Sequence, residues 1–161
     1  MNDIRPFRGL RYNEEVVGLL GNVVCPPYDV MSKEDVLSLY EKGAYNAVRL
    51  EFGLEYPDDS DSNNRYTRAA DFLERWIAKG ALQQESEPAL YIYEQHFSLE
   101  GKAGVRRGVL GALRLTPWED GVVLPHEETM PKPKADRLRL MRATKCNFSP
   151  LFLLFDDPDG A

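Results

Sequence analysis

The segment at residues 124–150, LPHEETMPKPKADRLRLMRATKCNFSP, concentrates the side chains of this sequence that could carry out chemistry. It begins with His126 and Glu127, just after a predicted strand, where catalytic side chains often lie. A histidine beside carboxylates can act as a general base, and a carboxylate can hold a divalent metal for phosphate chemistry. We therefore take His126 and Glu127 as candidate catalytic residues. The alternative is a histidine that only ends a strand.

The HEET sequence does not form a zinc-protease motif. That motif, HExxH, requires a second histidine at position 130, and Met130 is there instead. The other histidine, His96, lies in a predicted hairpin strand far earlier in the chain. The sequence therefore gives no support to a histidine-based metal site.

A basic cluster follows the histidine. Between His126 and Lys145 there are six basic and three acidic residues, a local charge of +3 in a chain of net charge -6. The six are Lys132, Lys134, Arg137, Arg139, Arg142 and Lys145. Asp136 is predicted to cap a helix that runs to about Lys145, after the breaks at Pro131 and Pro133. A helix N-terminus flanked by cations suits phosphate, because backbone N–H groups, dipole and charge favour an anion. The alternative is a solvated basic face that pairs with acids elsewhere.

The sequence CPPYD at residues 25–29 presents a second group of polar side chains. A reactive thiol needs a helix N-terminus or a basic neighbour, and the sequence around Cys25 supplies neither. A small buried thiol is therefore predicted. The double-proline turn would present Tyr28 and Asp29 at a fixed angle, and both are candidate binding residues.

Several familiar nucleotide-binding and nucleophile motifs are missing from the sequence. There is no GxxxxGK[ST] loop, no GxGxxG and no GxSxG. If this chain handles a nucleotide, it uses none of these loops.

The elements that must position these residues are predicted to form an α+β (mixed α/β) fold, with a mixed or antiparallel sheet and about three helices. The helices are predicted after a cap at Ser32, over 65–79, and after Asp136. The strands are predicted at 23–25, 47–52, 89–97, 105–115, 122–125 and 151–155, the third and fourth as a hairpin around the loop LEGKAG. In the strand at 47–52, alternation would place Val48 and Leu50 inward and Glu51 outward.

Length and composition limit the class of protein. The 161 residues suffice for one compact domain or two small lobes, and 43% hydrophobic with 29% charged residues excludes a disordered chain. The net charge of -6 argues against a nucleic-acid or anionic-membrane partner. No signal peptide and no long apolar run are visible, and the two cysteines lack CxxC spacing. A cytoplasmic protein without a membrane partner is predicted.

Seven blocks of the sequence resemble one known family. They are IRPFRGLRYN, NVVCPPYDV, YNAVRLEFG, NRYTRAADFLERW, PALYIYEQHF, LPHEETMPKPKADRLRLMRATKCNFSP and LFLLF. In this order, over nearly the whole chain, they resemble the family named domain of unknown function 1015. Members are considerably longer than 161 residues and carry a DGHHR-type motif in their C-terminal part. The resemblance therefore predicts that residues 1–161 are the N-terminal part of such a protein, with the C-terminal part absent.

That C-terminal motif is similar to one in the ParB and sulfiredoxin-like superfamily, which includes free serine kinases and nucleotide-binding partition proteins. The resemblance implies a phosphotransferase that uses a nucleoside di- or triphosphate and Mg²⁺ to modify a small hydroxyl-bearing metabolite. Because this chain lacks the motif, the fragment alone is expected to be inactive. The alternative is a non-enzymatic regulatory module that responds to a nucleotide or binds nucleic acid.

The resemblance also carries over individual positions as site residues. They are Tyr28, Asp29, His126, Glu127, Thr129, Asp136, Arg137, Asn147 and Ser149. With Lys132 and Lys134 from the basic cluster, all except the candidate catalytic pair are expected to bind phosphate or substrate.

Overall fold

The computed structural model describes residues 4–125 and 130–154 of the chain. Over this part the fold is α+β, with five α-helices and three antiparallel two-stranded sheets. The predicted fold class is confirmed, although the helices outnumber the three that were predicted. The chain divides into two compact units. The first contains the residues up to Leu20 and Glu74–Asp136, and the second contains Gly21–Leu73 and the residues from Arg137 on.

The strands belong to the first unit. They are β1 (Ile4–Arg5), β2 (Leu10–Tyr12), β3 (Leu82–Gln84), β4 (Tyr91–Leu99), β5 (Lys102–Leu110) and β6 (Ala112–Leu113). The sheets pair β1 with β6, β2 with β3 and β4 with β5, all antiparallel. A one-turn helix, α1 (Glu14–Val17), follows β2. Trp76, Ala81 and Leu82 are buried in this unit, and the Tyr12 ring lies 6.2 Å from that of Trp76.

The predicted hairpin is confirmed as β4 and β5, but its turn is tighter than predicted. Leu99 pairs directly with Lys102, so only Glu100 and Gly101 connect the strands. Both residues have positive φ, 50° and 78°, as the favoured two-residue hairpin turns require.

Helices dominate the second unit. They are α2 (Lys33–Lys42), α3 (Val48–Glu51), the start of α4 (Arg65–Ala78) and most of α5 (Pro131–Thr144). The Ser32 cap is confirmed. The Asp35 backbone N–H donates to Ser32 Oγ at 3.1 Å, and the Ser32 backbone N–H donates to Asp35 Oδ2 at 2.9 Å. The core of this unit is aliphatic: Val23, Val36, Val48, Leu50, Ala69, Leu73 and Leu140 are buried.

Two predicted strands, at 23–25 and 47–52, are wrong. The hydrogen bonds of the Asn46 side chain explain why. Asn46 is completely buried, and its Nδ2 donates to the carbonyl oxygens of Asn22 at 2.8 Å and Val24 at 3.0 Å. The segment 23–25 therefore bonds to the Asn46 side chain and, through the Val23 carbonyl oxygen, to the Ala47 N–H at 2.7 Å, and it joins no sheet among the described residues. Asn46 Oδ1 accepts from the Val48 N–H at 3.0 Å at the start of α3, where a strand was predicted over 47–52.

The other two predicted strands are also wrong over the described residues. Residues 122–125 follow Gly121, which is left-handed and ends a short 3₁₀ helix, and they form no strand. Residues 151–154 form none either, and Leu151 and Leu154 are 84% and 86% exposed where a buried strand was predicted.

The basic helix α5 starts earlier than predicted. It begins at Pro131, so Asp136 lies inside the helix and does not cap it. Pro131 and Pro133 do not break the helix, because the first backbone N–H groups of a helix have no partner within it. The predicted end near Lys145 is confirmed: Lys145 has φ 56°, just after the last helical residue. Over the described residues, no helix is long and apolar enough to span a membrane.

Candidate functional site

The candidate site is built around Glu51, the last residue of α3 in the second unit. Glu51 is only 7% exposed. Its Oε1 accepts a hydrogen bond from Arg137 Nη1 at 2.7 Å and another from the Ser149 hydroxyl. Arg137 Nη2 also donates to the backbone oxygen of Glu51 at 3.0 Å. The carboxylate is therefore fixed by residues that are distant in sequence.

The other carboxylate oxygen, Glu51 Oε2, is buried and has no hydrogen-bond partner among the described residues. A buried acceptor without a partner costs about 1–3 kcal/mol. A ligand that donates a hydrogen bond here would remove that cost. Oε2 is therefore the carboxylate oxygen of this site that still has a hydrogen bond to accept, and it is closed off from solvent in this structure.

Aromatic rings hold the guanidinium groups near this carboxylate. The Arg137 guanidinium lies 3.9 Å from the centroid of the Tyr28 ring, and the rings of Tyr28 and Phe52 are 6.3 Å apart. The Arg65 guanidinium lies 4.8 Å from the Phe52 centroid. The contact with the Tyr28 ring restricts Arg137 to the geometry in which it binds Glu51.

The charge of Glu51 affects the pKa of the nearby Cys25 thiol. Burial, and then the negative charge of Glu51, raise the pKa of the Cys25 thiol to about 11. The thiol therefore stays protonated near neutral pH, which agrees with the prediction that Cys25 is not an activated nucleophile. It is half-buried, where the sequence predicted a buried thiol.

The structure brings together three of the residues that the sequence selected: Tyr28, Arg137 and Ser149. Asp29 and Asn147 are exposed, and neither hydrogen-bonds to Glu51 among the described contacts. Their binding roles stay predictions.

The remaining predicted site residues lie elsewhere or cannot be placed. Lys132 and Lys134 are exposed near the start of α5, and Asp136 is half-buried within that helix. His126, Glu127 and Thr129 lie outside the described residues. The roles predicted for all six stay predictions.

Glu51 itself was missed by the sequence analysis. Alternation at 47–52 placed it on a solvent face, whereas the helix α3 places it in the interior with Val48 and Leu50. The sequence contains no separate signal for Glu51, because its neighbours Leu50 and Phe52 fit the alternation of a half-buried strand.

Among the described residues, no group of three or more His, Cys, Asp or Glu side chains is arranged to hold a metal ion. Glu51 stands as a single carboxylate whose Oε1 already binds Arg137 and Ser149. We therefore assign no Mg²⁺ ligands in this part of the chain.

The protein is therefore of the α+β class, and its candidate site is a buried carboxylate that an arginine and a serine hold in place. Comparison with protein families gives the family. The model described as "Protein of unknown function (DUF1015)" matches residues 4–161, and the chain belongs to this family. No curated protein and no solved structure matches the chain.

Proposed function

We propose that this chain is part of a phosphotransferase that moves a phosphoryl group from a nucleotide to a small hydroxyl-bearing metabolite. The observation that carries the proposal is the unpartnered, buried oxygen Glu51 Oε2. A substrate hydroxyl that donates to this oxygen would be both bound and oriented. The C-terminal motif expected of longer family members, which this chain lacks, resembles one in a superfamily that includes free serine kinases, and it favours the same reaction class.

Glu51 would act as the proton acceptor. The hydroxyl oxygen attacks the terminal phosphorus of the nucleotide, and its proton passes to Glu51 Oε2 as the new O–P bond forms. The bond from that phosphorus to the bridging oxygen breaks, and the shortened nucleotide leaves with the electron pair. An acidic side chain has this task in protein kinases, where it accepts the proton of the substrate hydroxyl.

Arg137 and Ser149 would position the base. Both donate to Oε1, so the carboxylate cannot rotate without losing two hydrogen bonds. Tyr28 limits the movement of Arg137 through the contact between ring and guanidinium. In this proposal Arg137 acts through Glu51, and the binding of phosphate is left to other cations of the protein.

The test is a transfer assay on the full-length protein. It is incubated with Mg²⁺, with ATP, ADP or CTP, and with serine and other small hydroxyl compounds, and phosphorylated products are measured by mass spectrometry. Glu51→Gln keeps the shape and removes the base, so we expect kcat to fall by about 100-fold or more. Glu41→Gln, at an exposed position of α2, is the matched control and should keep full activity.

Two results would overturn the proposal. One is full transfer activity in the Glu51→Gln variant. The other is nucleotide binding by calorimetry without transfer to any hydroxyl compound, which would support the regulatory module instead.

A further inference from the structure

The ribbon formed by β4 and β5 has an edge that no described strand covers. β4 pairs with β5 alone, so its other edge presents backbone N–H and C=O groups. Eight of the nine residues of β4 are exposed, and the strand contains no proline. Such a long edge is a template for pairing with another strand, and a ribbon of only two strands is marginally stable by itself.

We propose that this edge of β4 pairs with the same edge of a second copy of the chain. The two strands run antiparallel and are centred on Gln95, so the two ribbons form one four-stranded sheet. The contact is isologous and closes as a dimer.

The sequence of β4 is complementary to itself in this register. Centring the pair on Gln95 uses all nine residues of β4. It places Glu94 opposite His96 of the partner subunit, which joins an acid to a basic ring. It also places Tyr93 opposite Phe97 of the partner subunit. A carboxylate opposite an imidazole can hydrogen-bond across the strands, and a cross-strand pair of aromatic rings stabilises a sheet.

The neighbouring registers are worse. Along a strand, the backbone N–H and C=O groups of successive residues point to alternate edges. Two copies of one strand can therefore pair antiparallel only when the two-fold axis passes through a residue and not between two residues. Centring the pair on Glu94 would oppose two carboxylates, and like charges directly opposite destabilise a sheet. Centring it on His96 would oppose two histidines and pair only seven residues. Gln95 is the centre that avoids both problems.

Charge also selects β4 over β5. The same pairing of β5 would be centred on Arg106 and would oppose two guanidinium groups. In β4, hydrogen bonds from Arg107 and then from His96 hold the pKa of Glu94 below its ordinary value. Within one chain, Glu94 Oε1 already lies 2.7 Å from His96 Nε2, so across the proposed contact the two His96 rings can exchange between the two Glu94 carboxylates.

The first test is the mass of the chain in solution, measured by light scattering after size-exclusion chromatography. At about 100 μM we expect twice the chain mass of 18.3 kDa. Gln95→Lys and Gln95→Glu each place like charges opposite each other, so each variant alone should give the single-chain mass. An equimolar mixture of the two places Lys opposite Glu and should restore the double mass. Ala103→Lys, an exposed position on β5, is the control and should stay dimeric.

A restored double mass excludes a folding defect, because a variant that fails to fold cannot pair with its partner; circular dichroism of each variant alone checks the fold. The proposal is overturned if the unsubstituted chain has the single-chain mass at that concentration. It is also overturned if Gln95→Lys alone keeps the double mass, or if the mixture fails to restore it.

A crosslink tests the register. Across the two-fold axis, the two copies of residue 95 would have Cα atoms about 4.5–5.5 Å apart, within disulfide reach. Gln95→Cys should therefore form an interchain disulfide on mild oxidation. Ile92→Cys would face Ser98 of the partner subunit, with its own copy about 20 Å away along the strand, and should not crosslink. The unsubstituted chain controls for Cys25 and Cys146, and crosslinking of Ile92→Cys but not of Gln95→Cys would overturn the register.

Discussion

At the scale of single residues, the negative charge of Glu51 stabilises the positive charge of one neighbour and disfavours the negative charge of another. Glu51 attracts the Arg137 guanidinium at 2.7 Å, and the same charge opposes ionisation of the Cys25 thiol. Removal of the Glu51 charge should therefore be visible at Cys25, even without any substrate. Cys25 thus reports whether Glu51 carries its charge in the folded protein.

We predict that Glu51→Gln accelerates alkylation of Cys25. The thiolate is the reactive form, and a pKa raised from 9.0 to about 11 leaves roughly 100-fold less thiolate at pH 8 than in an ordinary thiol. In the unsubstituted chain the rate should therefore stay low and rise only as the pH approaches about 11. Glu51→Gln removes one of the two causes of the raised pKa, so the pKa of Cys25 falls and its alkylation at pH 8 becomes faster. Iodoacetamide labelling with peptide mass spectrometry measures the alkylation rate of Cys25 in the unsubstituted chain and in the Glu51→Gln variant.

Cys146 is the internal reference for this experiment. Burial alone raises the pKa of Cys146, so its rate should not change with Glu51→Gln. An equal acceleration at both cysteines would indicate general loosening of the structure, and an unchanged Cys25 rate would show that the Glu51 charge does not act on it.

The sequence allowed part of this site to be predicted. Of the residues that were selected, Arg137 and Ser149 bind one carboxylate, and Tyr28 contacts Arg137; their predicted roles stay predictions. The carboxylate was missed because alternation over six residues fits both a strand and one turn of a buried helix. The hydrogen bonds of Asn46 to Asn22 and Val24 favour the helix over the strand, and no local sequence pattern indicates those bonds.

At the scale of elements, long periodic segments were predicted well. The helix expected over 65–79 is α4 at Arg65–Ala78, and the hairpin strands differ from β4 and β5 mainly at their ends. Short apolar runs were predicted poorly, because a run of four or five residues specifies neither helix nor strand. Residues 151–154 also show that an apolar run alone does not ensure burial.

Gly111 separates β5 from β6, and we predict that it cannot be replaced without loss of stability. A Cβ at this position would lie 2.5 Å from Ile4 Cγ2 and 2.9 Å from Leu90 Cδ2. Because β1 lies against this point, Gly111→Ala should lower the free energy of unfolding by about 1–3 kcal/mol. Gly108→Ala is the matched control in the same ribbon, since a Cβ there meets nothing within 4 Å. Urea denaturation of both variants measures the difference, and equal losses would show that the contact with Ile4 is unimportant.

At the scale of the whole molecule, self-association links stability to concentration. If the folded chain pairs through β4 and the unfolded chain does not, mass action stabilises the folded state as the concentration rises. The net charge of -6 on each copy opposes the contact, and added salt screens this repulsion as well as the attraction between Glu94 and His96.

We therefore predict that the thermal midpoint of unfolding rises with chain concentration. Calorimetry between about 5 and 200 μM should show an upward shift for the unsubstituted chain. For Gln95→Lys the midpoint should stay constant, because that variant is expected to remain a single chain. A midpoint that is independent of concentration in the unsubstituted chain would contradict the prediction.

The two-residue turn at Glu100 and Gly101 limits how the chain can change in length. One inserted residue would shift β5 by one position against β4 and carry its side chains to the opposite faces of the ribbon. Arg107 would move away from Glu94, and the glycines that now pair with Tyr93 and Phe97 would be replaced by residues with side chains. A single added residue at this tip should therefore be tolerated only where a three-residue turn takes it up and leaves the pairing of β4 with β5 unchanged.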